Sequence, residues 1–275
     1  MYKLILFSVL LNRKIKEKDL LSKANDLTFK ILLSIFPLLI FFMTIIAFLD
    51  LDIYYLAREL EGTVPVEVLA IVDLFLVEVV GTKRPSLLST SLILAVVSST
   101  SGFKSLLGAI NKAYDEEDHR SFFTIYLISF ILVVAFIFSL IVMIVMLIFG
   151  NTIIDLLDAH FYIPPFMISV YRILTDVFSI IVMLITTILI NKLSISKKKS
   201  FRSLLPGSLF TVVFWMLAST AFNVYLSTFA RISAVYGSVA SVIILMLWVN
   251  IICTVLIIGS AINAMLEDEK NKASS

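Results

Sequence analysis

The chain has 275 residues, of which 60% are hydrophobic and only 15% charged, with mean hydropathy +1.05; a soluble domain carries about 25% charged residues. Apolar runs of roughly twenty residues recur along its length, and water offers no way to hide them all. A net charge of +2, with the cations in short clusters between those runs, excludes the broad basic field that nucleic-acid binding needs, and the lone Cys253 excludes an intramolecular disulfide framework.

In chain order, Met1 to Leu11 is apolar and leads into Asn12-Arg13-Lys14-Ile15-Lys16 with no small-residue cleavage site. That charge order is wrong for a secretory signal and predicts an interfacial helix on the inner leaflet. Runs long enough for a hydrocarbon core about 30 Å thick predict helices near 31–50, 86–103, 122–150, 163–191, 206–229 and 236–265. They are too long and too continuously apolar for barrel strands.

Orientation follows from lysine and arginine. With the N-terminus inside, 17 of them fall in inner segments and 5 (Arg58, Lys83, Arg84, Arg172, Arg231) in outer ones, the bias of the positive-inside rule. The predicted fold is therefore an all-α polytopic membrane helix bundle of about six transmembrane helices with both termini in the cytoplasm. Residues 1–30 form the cytoplasmic or interfacial N-terminal part, 31–266 the membrane domain including an outer segment at 51–84, and 267–275 a short tail. Gly62, Pro65 and five carboxylates between Glu59 and Glu78 are costly at bilayer depth, so 52–80 reads as short amphipathic helices on the outer face, with a partly inserted hairpin as the alternative.

Several polar features stand out against this apolar background. Ser91, Ala95, Ser98, Gly102, Ser105 and Ala109 step by four and three and so share one helix face. Small residues there suit a packing seam, or else a narrow polar path. Pro85 to Tyr114 would extend about 45 Å as one helix, so it must project, tilt or break near Gly102. Arg172 and Asp176 lie four apart, close enough to pair. Asn111, Asn223, Asn250 and Asn263 would be unsatisfied against lipid, which predicts that they face other helices; such bonds contribute about 0.6 kcal/mol each.

Catalytic signatures are absent from the pattern. His119 and His160 are far apart, Asp115-Glu116-Glu117-Asp118 reads as a solvated connector, and no glycine-rich phosphate loop, nucleophile elbow or zinc motif occurs. No metal, cofactor or enzymatic activity is expected.

Several segments taken together resemble a known family. Ala24-Asn25-Asp26-Leu27-Thr28-Phe29 leading to Leu33-Ser34-Ile35-Phe36-Pro37 is similar to the first-helix pattern of the YihY/BrkB family of bacterial membrane proteins. Gly102-Phe103 with Asn111-Lys112-Ala113-Tyr114 and Arg120 looks like its second motif. Leu205-Pro206-Gly207, Tyr225, Tyr236-Gly237-Ser238, Trp248 and Gly259 to Asn263 resemble its C-terminal signature. The resemblance spans residues 20 to 266 and implies a six-helix protein of the bacterial plasma (inner) membrane. The family has also carried the label ribonuclease BN, and no residue pattern here suits a ribonuclease. The sequence departs from the family at Gly259-Ser260-Ala261, where an acidic residue often stands, and at Ile190-Asn191-Lys192, where a Tyr-Arg pair often stands.

The expected function is transport or flipping of a lipid-like or other amphipathic small molecule, with a non-catalytic scaffold that organises a cell-envelope complex as the alternative. Candidate residues along the substrate path are Asp26, Ser34, Ser98, Gly102, Asn111, Arg172, Asp176, Tyr225, Tyr236, Asn250 and Asn263. The expected partners are membrane lipids and an amphipathic substrate, without nucleic acid; self-association is left open.

Overall fold

A computed structural model describes residues 2–48, 85–139, 142, 165–197, 199–236 and 238–274. Every element in these residues is helical: α1 (Tyr2–Glu17), α2 (Leu20–Phe48), α3 (Pro85–Ala113), α4 (Phe122–Ser139), α5 (Pro165–Ser194), α6 (Phe201–Tyr236) and α7 (Ser238–Ser274). Six of them, α2 to α7, contain a stretch long and apolar enough to cross a membrane. The predicted outer helices at 52–80 lie outside the described residues.

Local chemistry sets the boundaries. Lys14 and Lys16 occupy the last turn of α1, where cations oppose the negative end of the helix dipole. Asp19 then takes a left-handed backbone, φ 50°, which short polar side chains tolerate, and α2 starts at once. The first membrane helix thus begins well before residue 31 and runs through Pro37 without interruption. At the end of α3, Asp115 is again left-handed, φ 56°, and the Glu116 amide donates back to the Asn111 carbonyl at 3.0 Å. Such a turn satisfies carbonyls that the helix leaves open. Ser121 caps α4 by accepting from the Thr124 amide, and Ser200 caps α6 by accepting from the Arg202 amide, both at 3.3 Å.

Helix α3 does not break at Gly102. It runs for 29 residues, about 43 Å at 1.5 Å per residue. Its buried positions Ser91, Ala95, Gly102, Leu106, Ala109 and Ala113 turn toward neighbouring helices, with Gly102 opposite Ile31 of α2. The seam of small residues therefore packs against a helix. Helix α2 lies between α3 and α7, α7 packs on α6, and α6 on α5.

The core is concentrated toward one end of the bundle. Leu20, Leu27, Leu107, Ile110, Leu204 and Ile257 are almost wholly buried there, close to the connecting segments 114–121 and 195–200. Away from it Ile93, Val97, Phe138, Ile173, Leu217 and Val224 are exposed, an extent of apolar surface that lipid tolerates and water does not. The hydroxyls in these segments return to their own helix. Ser98, Ser129, Thr175, Ser179, Thr187 and Thr211 donate to the carbonyl four residues back at 2.6 to 3.0 Å, so they need no partner in hydrocarbon.

Candidate functional site

Polar side chains gather in two places: the end of the bundle where the N-terminal segment, 114–121, 195–200 and the end of α7 meet, and a patch one to two turns deeper on α2.

At the polar end Asn111, wholly buried, joins α3 to the end of α5. Its Nδ2 donates to the Leu107 carbonyl at 3.0 Å, the Ser194 carbonyl at 2.9 Å and Asp118 at 3.3 Å; its Oδ1 accepts from the Ser196 amide at 2.9 Å. Arg120 works beside it. Its guanidinium grips both Asp118 carboxylate oxygens at 2.7 and 2.6 Å and donates to the carbonyls of Leu193 and Ser194 at 2.9 and 2.7 Å. A cation on the last carbonyls of α5 complements that helix terminus, and the paired hydrogen bonds from Arg120 hold the Asp118 carboxyl below the usual carboxylate range. The acidic connector foreseen at 115–118 is thus a built junction at Asp118, while Glu117 is exposed as foreseen.

Helices α6 and α7 meet closely. A Cβ on Gly207 would run into the Gly259 carbonyl oxygen and would stand 2.6 Å from Asn263 Cγ, so only hydrogen fits on that face. Asn263 spans the contact, accepting from the Gly207 amide at 2.6 Å and donating to the Leu204 carbonyl at 2.9 Å. One turn away Ser260 Oγ donates to Asn191 Oδ1 at 2.7 Å. The two segments in which the sequence departs from the family pattern therefore touch each other.

The deeper patch lies on α2. Asp26 accepts from Ser105 of α3 at 2.5 Å and from Lys30 at 2.9 Å, yet its side chain keeps 45% of its surface exposed. On the other flank Asn250 of α7 donates to Asn25 Oδ1 at 2.8 Å and Thr28 Oγ1 at 3.2 Å. Phe29, Leu33 and Phe36 continue the exposed face of Asp26 along α2, at spacings of three and four residues.

Of the residues singled out by sequence, Asp26, Asn111, Asn250 and Asn263 join different helices. Ser34 and Ser98 bond within their own helices, at 2.7 Å to the Ile31 carbonyl and 2.6 Å to the Leu94 carbonyl. Asp176 is exposed on α5; the side chains of Arg172, Asn223, Tyr225 and Tyr236 lie outside the described residues. Sequence reasoning missed Asn25, Ser105's bond to Asp26, Asn191 with Ser260, and the joint role of Asp118 and Arg120. Asn191 carried a usable signal, being an amide that closes the apolar run predicted at 163–191.

A groove of about 270 Å³ between α4 and α5 is lined by apolar residues, among them Leu132, Phe136, Phe138, Val182 and Ile185. Among the described residues no group of three His, Cys, Asp or Glu side chains is placed to hold a metal ion.

A family profile described as Virulence factor BrkB matches residues 11–275. The ribonuclease-like protein YfkH of Bacillus subtilis is 32% identical over 249 residues, 90% of this chain and 90% of its own. A UPF0761 membrane protein of Histophilus somni is 32% identical over 76 residues, 28% of this chain and 26% of its own, and one of Pseudoalteromonas translucida is 29% identical over 82 residues, 30% of this chain and 27% of its own. No solved structure matches.

Proposed function

We propose a role in moving amphipathic, lipid-like molecules for this chain, which belongs to the Virulence factor BrkB family and is an integral, multi-pass membrane protein. The observation that carries the reading is the exposed face of α2. It presents a carboxylate and an ammonium, Asp26 and Lys30, held 2.9 Å apart, and an apolar track that starts beside them at Phe29 and continues through Leu33 and Phe36. A polar head beside a hydrocarbon tail matches that order, and a charged pair within a membrane helix is costly to keep without use. Ser105 holds the carboxylate in place from α3, so the head-group position is shared by two helices.

On the same reading the polar end lies in the cytoplasm, the host membrane is a bacterial plasma (inner) membrane, and the work is transport without covalent chemistry. The ribonuclease-like name of the Bacillus subtilis relative does not enter it. Among the described residues Lys14, Lys18, Lys197, Lys199 and Arg120 are paired with the chain's own carboxylates, which weakens the field that this end offers a polyanion.

The test is lipid movement in sealed vesicles. Purified protein reconstituted with a fluorescent phospholipid accelerates its exchange between leaflets over protein-free vesicles, and Asp26→Ala removes most of that gain. Protein-containing vesicles no faster than empty ones, or an unaffected Asp26→Ala variant, would overturn the reading.

A further inference from the structure

Two lysines stand between two acidic pairs at the polar end of the bundle. The end of α3 carries Asp115 and Glu116, and the end of α7 carries Glu267 and Asp268. Lys14, from α1, lies 3.6 Å from Asp115 and 3.2 Å from Asp268. Lys199, from the segment before α6, lies 3.9 Å from Glu116 and 2.6 Å from Glu267. Each lysine thus joins one carboxylate of α3 to one of α7. Their side chains keep only 12% and 13% of their surface exposed. Glu116 and Glu267 around Lys199 are shielded as well, whereas Asp115 and Asp268 around Lys14 are about half exposed and within reach of salt. Lys18 on Asp115 and Lys197 on Glu116 flank them. Without the two central cations the bridges from α3 to α7 are lost, and Lys18 and Lys197 remain on the α3 carboxylates.

The bridges enclose a region whose polar groups are not all satisfied. Tyr114 is 9% exposed and its Oη has no hydrogen-bond partner among the described residues; Glu267 Oε2 is likewise buried without one. The Lys199 ammonium sits 5.5 Å from the Tyr114 ring centroid. Burial first, and then the charges of Glu267 and Asp268, push the Tyr114 phenol above its ordinary range, as its place beside that pair requires.

This differs in kind from the asparagine contacts next to it. Asn111 and Asn263 use both their donors and their acceptors, and a fully satisfied buried network is stiff. The lysine bridges gain from charge pairing but leave a phenol and a carboxylate oxygen dry, and both would regain water on opening. A junction whose closed and open forms each satisfy what the other leaves unmet is bistable.

We propose that the Lys14 and Lys199 bridges are a releasable electrostatic latch, which holds α1 and the last turns of α7 beyond Asn263 over the end of α3 and opens to uncover Tyr114. The asparagine contacts form the fixed base against which these parts move. The inference does not depend on what the protein transports.

The test is a distance measurement on the full chain in lipid nanodiscs. Nitroxide labels at Lys112→Cys and Glu269→Cys, in a Cys253→Ala background, report the separation of α3 and α7. The native charge pattern gives one short distance at low ionic strength. K14E/K199E adds a longer-distance population of roughly a tenth of the molecules or more. Swapping the charges back, with K14E/D268K/K199E/E267K, restores the single short distance. Should the variants not fold, the native charge pattern in about 1 M salt, where the screening length is about 3 Å, shifts toward the longer distance. A single short distance in K14E/K199E, a long one retained after the swap, or no response to salt would overturn the latch.

Discussion

The side-chain amide of Asn111 and the guanidinium of Arg120 donate to one acceptor, the main-chain carbonyl of Ser194, at 2.9 and 2.7 Å. Two residues nine positions apart, on either side of a turn, so converge on the last residue of a helix far along the chain. Through this carbonyl the α3–α4 connection is tied to the end of α5, and the polar end of the bundle acquires a fixed geometry.

Shared use of one acceptor makes the two residues energetically coupled. Asn111→Ala is expected to destabilise by about 1–3 kcal/mol, because the half-buried Ser196 amide loses its partner and the wholly buried amide of Asn111 leaves a gap. In the double variant with Arg120→Ala the Ser194 carbonyl loses both donors, and the loss exceeds the sum of the single effects by about 0.5–1 kcal/mol. Chemical unfolding of the four proteins in detergent measures it; strict additivity would contradict the shared-acceptor geometry.

Asp118 gives this junction a pH dependence. Its folded pKa lies below the ordinary value because of Arg120, and an unfolded aspartate titrates near about 3.9. The stabilisation is therefore present in full above that pH and is lost as the pH falls through and below it. Thermal unfolding of wild type and Asp118→Asn should show a constant gap from about pH 7 to about pH 5, which narrows below about pH 4. A gap unchanged down to about pH 3 would count against it.

The glycines separate by what surrounds them. Gly207→Ala and Gly259→Ala force a Cβ into the opposing helix, onto the Gly259 carbonyl oxygen in one case and to within 2.5 Å of the Gly207 carbonyl oxygen in the other. Each is expected to destabilise by about 1–3 kcal/mol or to prevent folding. A Cβ at Gly102 meets nothing nearer than Ile31 Cγ1 at 3.8 Å, so Gly102→Ala should be neutral or stabilising by up to about 1 kcal/mol through helix propensity. Melting temperatures in the same detergent decide the order; loss of stability at Gly102 equal to that at Gly259 would refute the packing account.

Tyr114→Phe removes a buried hydroxyl that has no partner among the described residues. Stability should hold or rise by up to about 1 kcal/mol, since an unsatisfied buried group is a cost. A fall of the size expected for Asn111→Ala would mean that the phenol is bonded.

Much of the fold was legible because its causes are local. Length and hydropathy of the apolar runs place six helices and six of their ends to within three residues, while the ends of α3, α6 and α7 lie seven to ten residues beyond 103, 229 and 265 and the expected end at 150 lies outside the described residues. The small-residue spacing along α3 correctly names the face that meets α2. The starts of α2 and α6 were set too late, since Lys23, Asp26 and Lys30 look like a cytoplasmic segment until Ser105 and the α3 contact are known. The junctions at the polar end were opaque for a related reason. A run such as Asp115-Glu116-Glu117-Asp118 has the composition of a solvated connector, and only the arrival of the N-terminal segment and of the 195–200 connection at the same place gives Asp115 and Glu116 their lysine partners, while Glu117 does stay exposed. Asn111 and Asn263 could be expected to face helices, but not which ones. Pairings such as Asn191 with Ser260 join positions far apart in sequence that no local period connects.

The central claim is that Lys14, the 114–121 connection, the 195–200 connection and the end of α7 share one face of the membrane, the cytoplasmic one. Single cysteines at Glu117, Lys197 and Glu269 in a Cys253→Ala background, probed with a membrane-impermeant maleimide, test it directly. All three should stay unlabelled in intact cells and react in inside-out vesicles. Labelling of any one of them from outside intact cells would contradict the account.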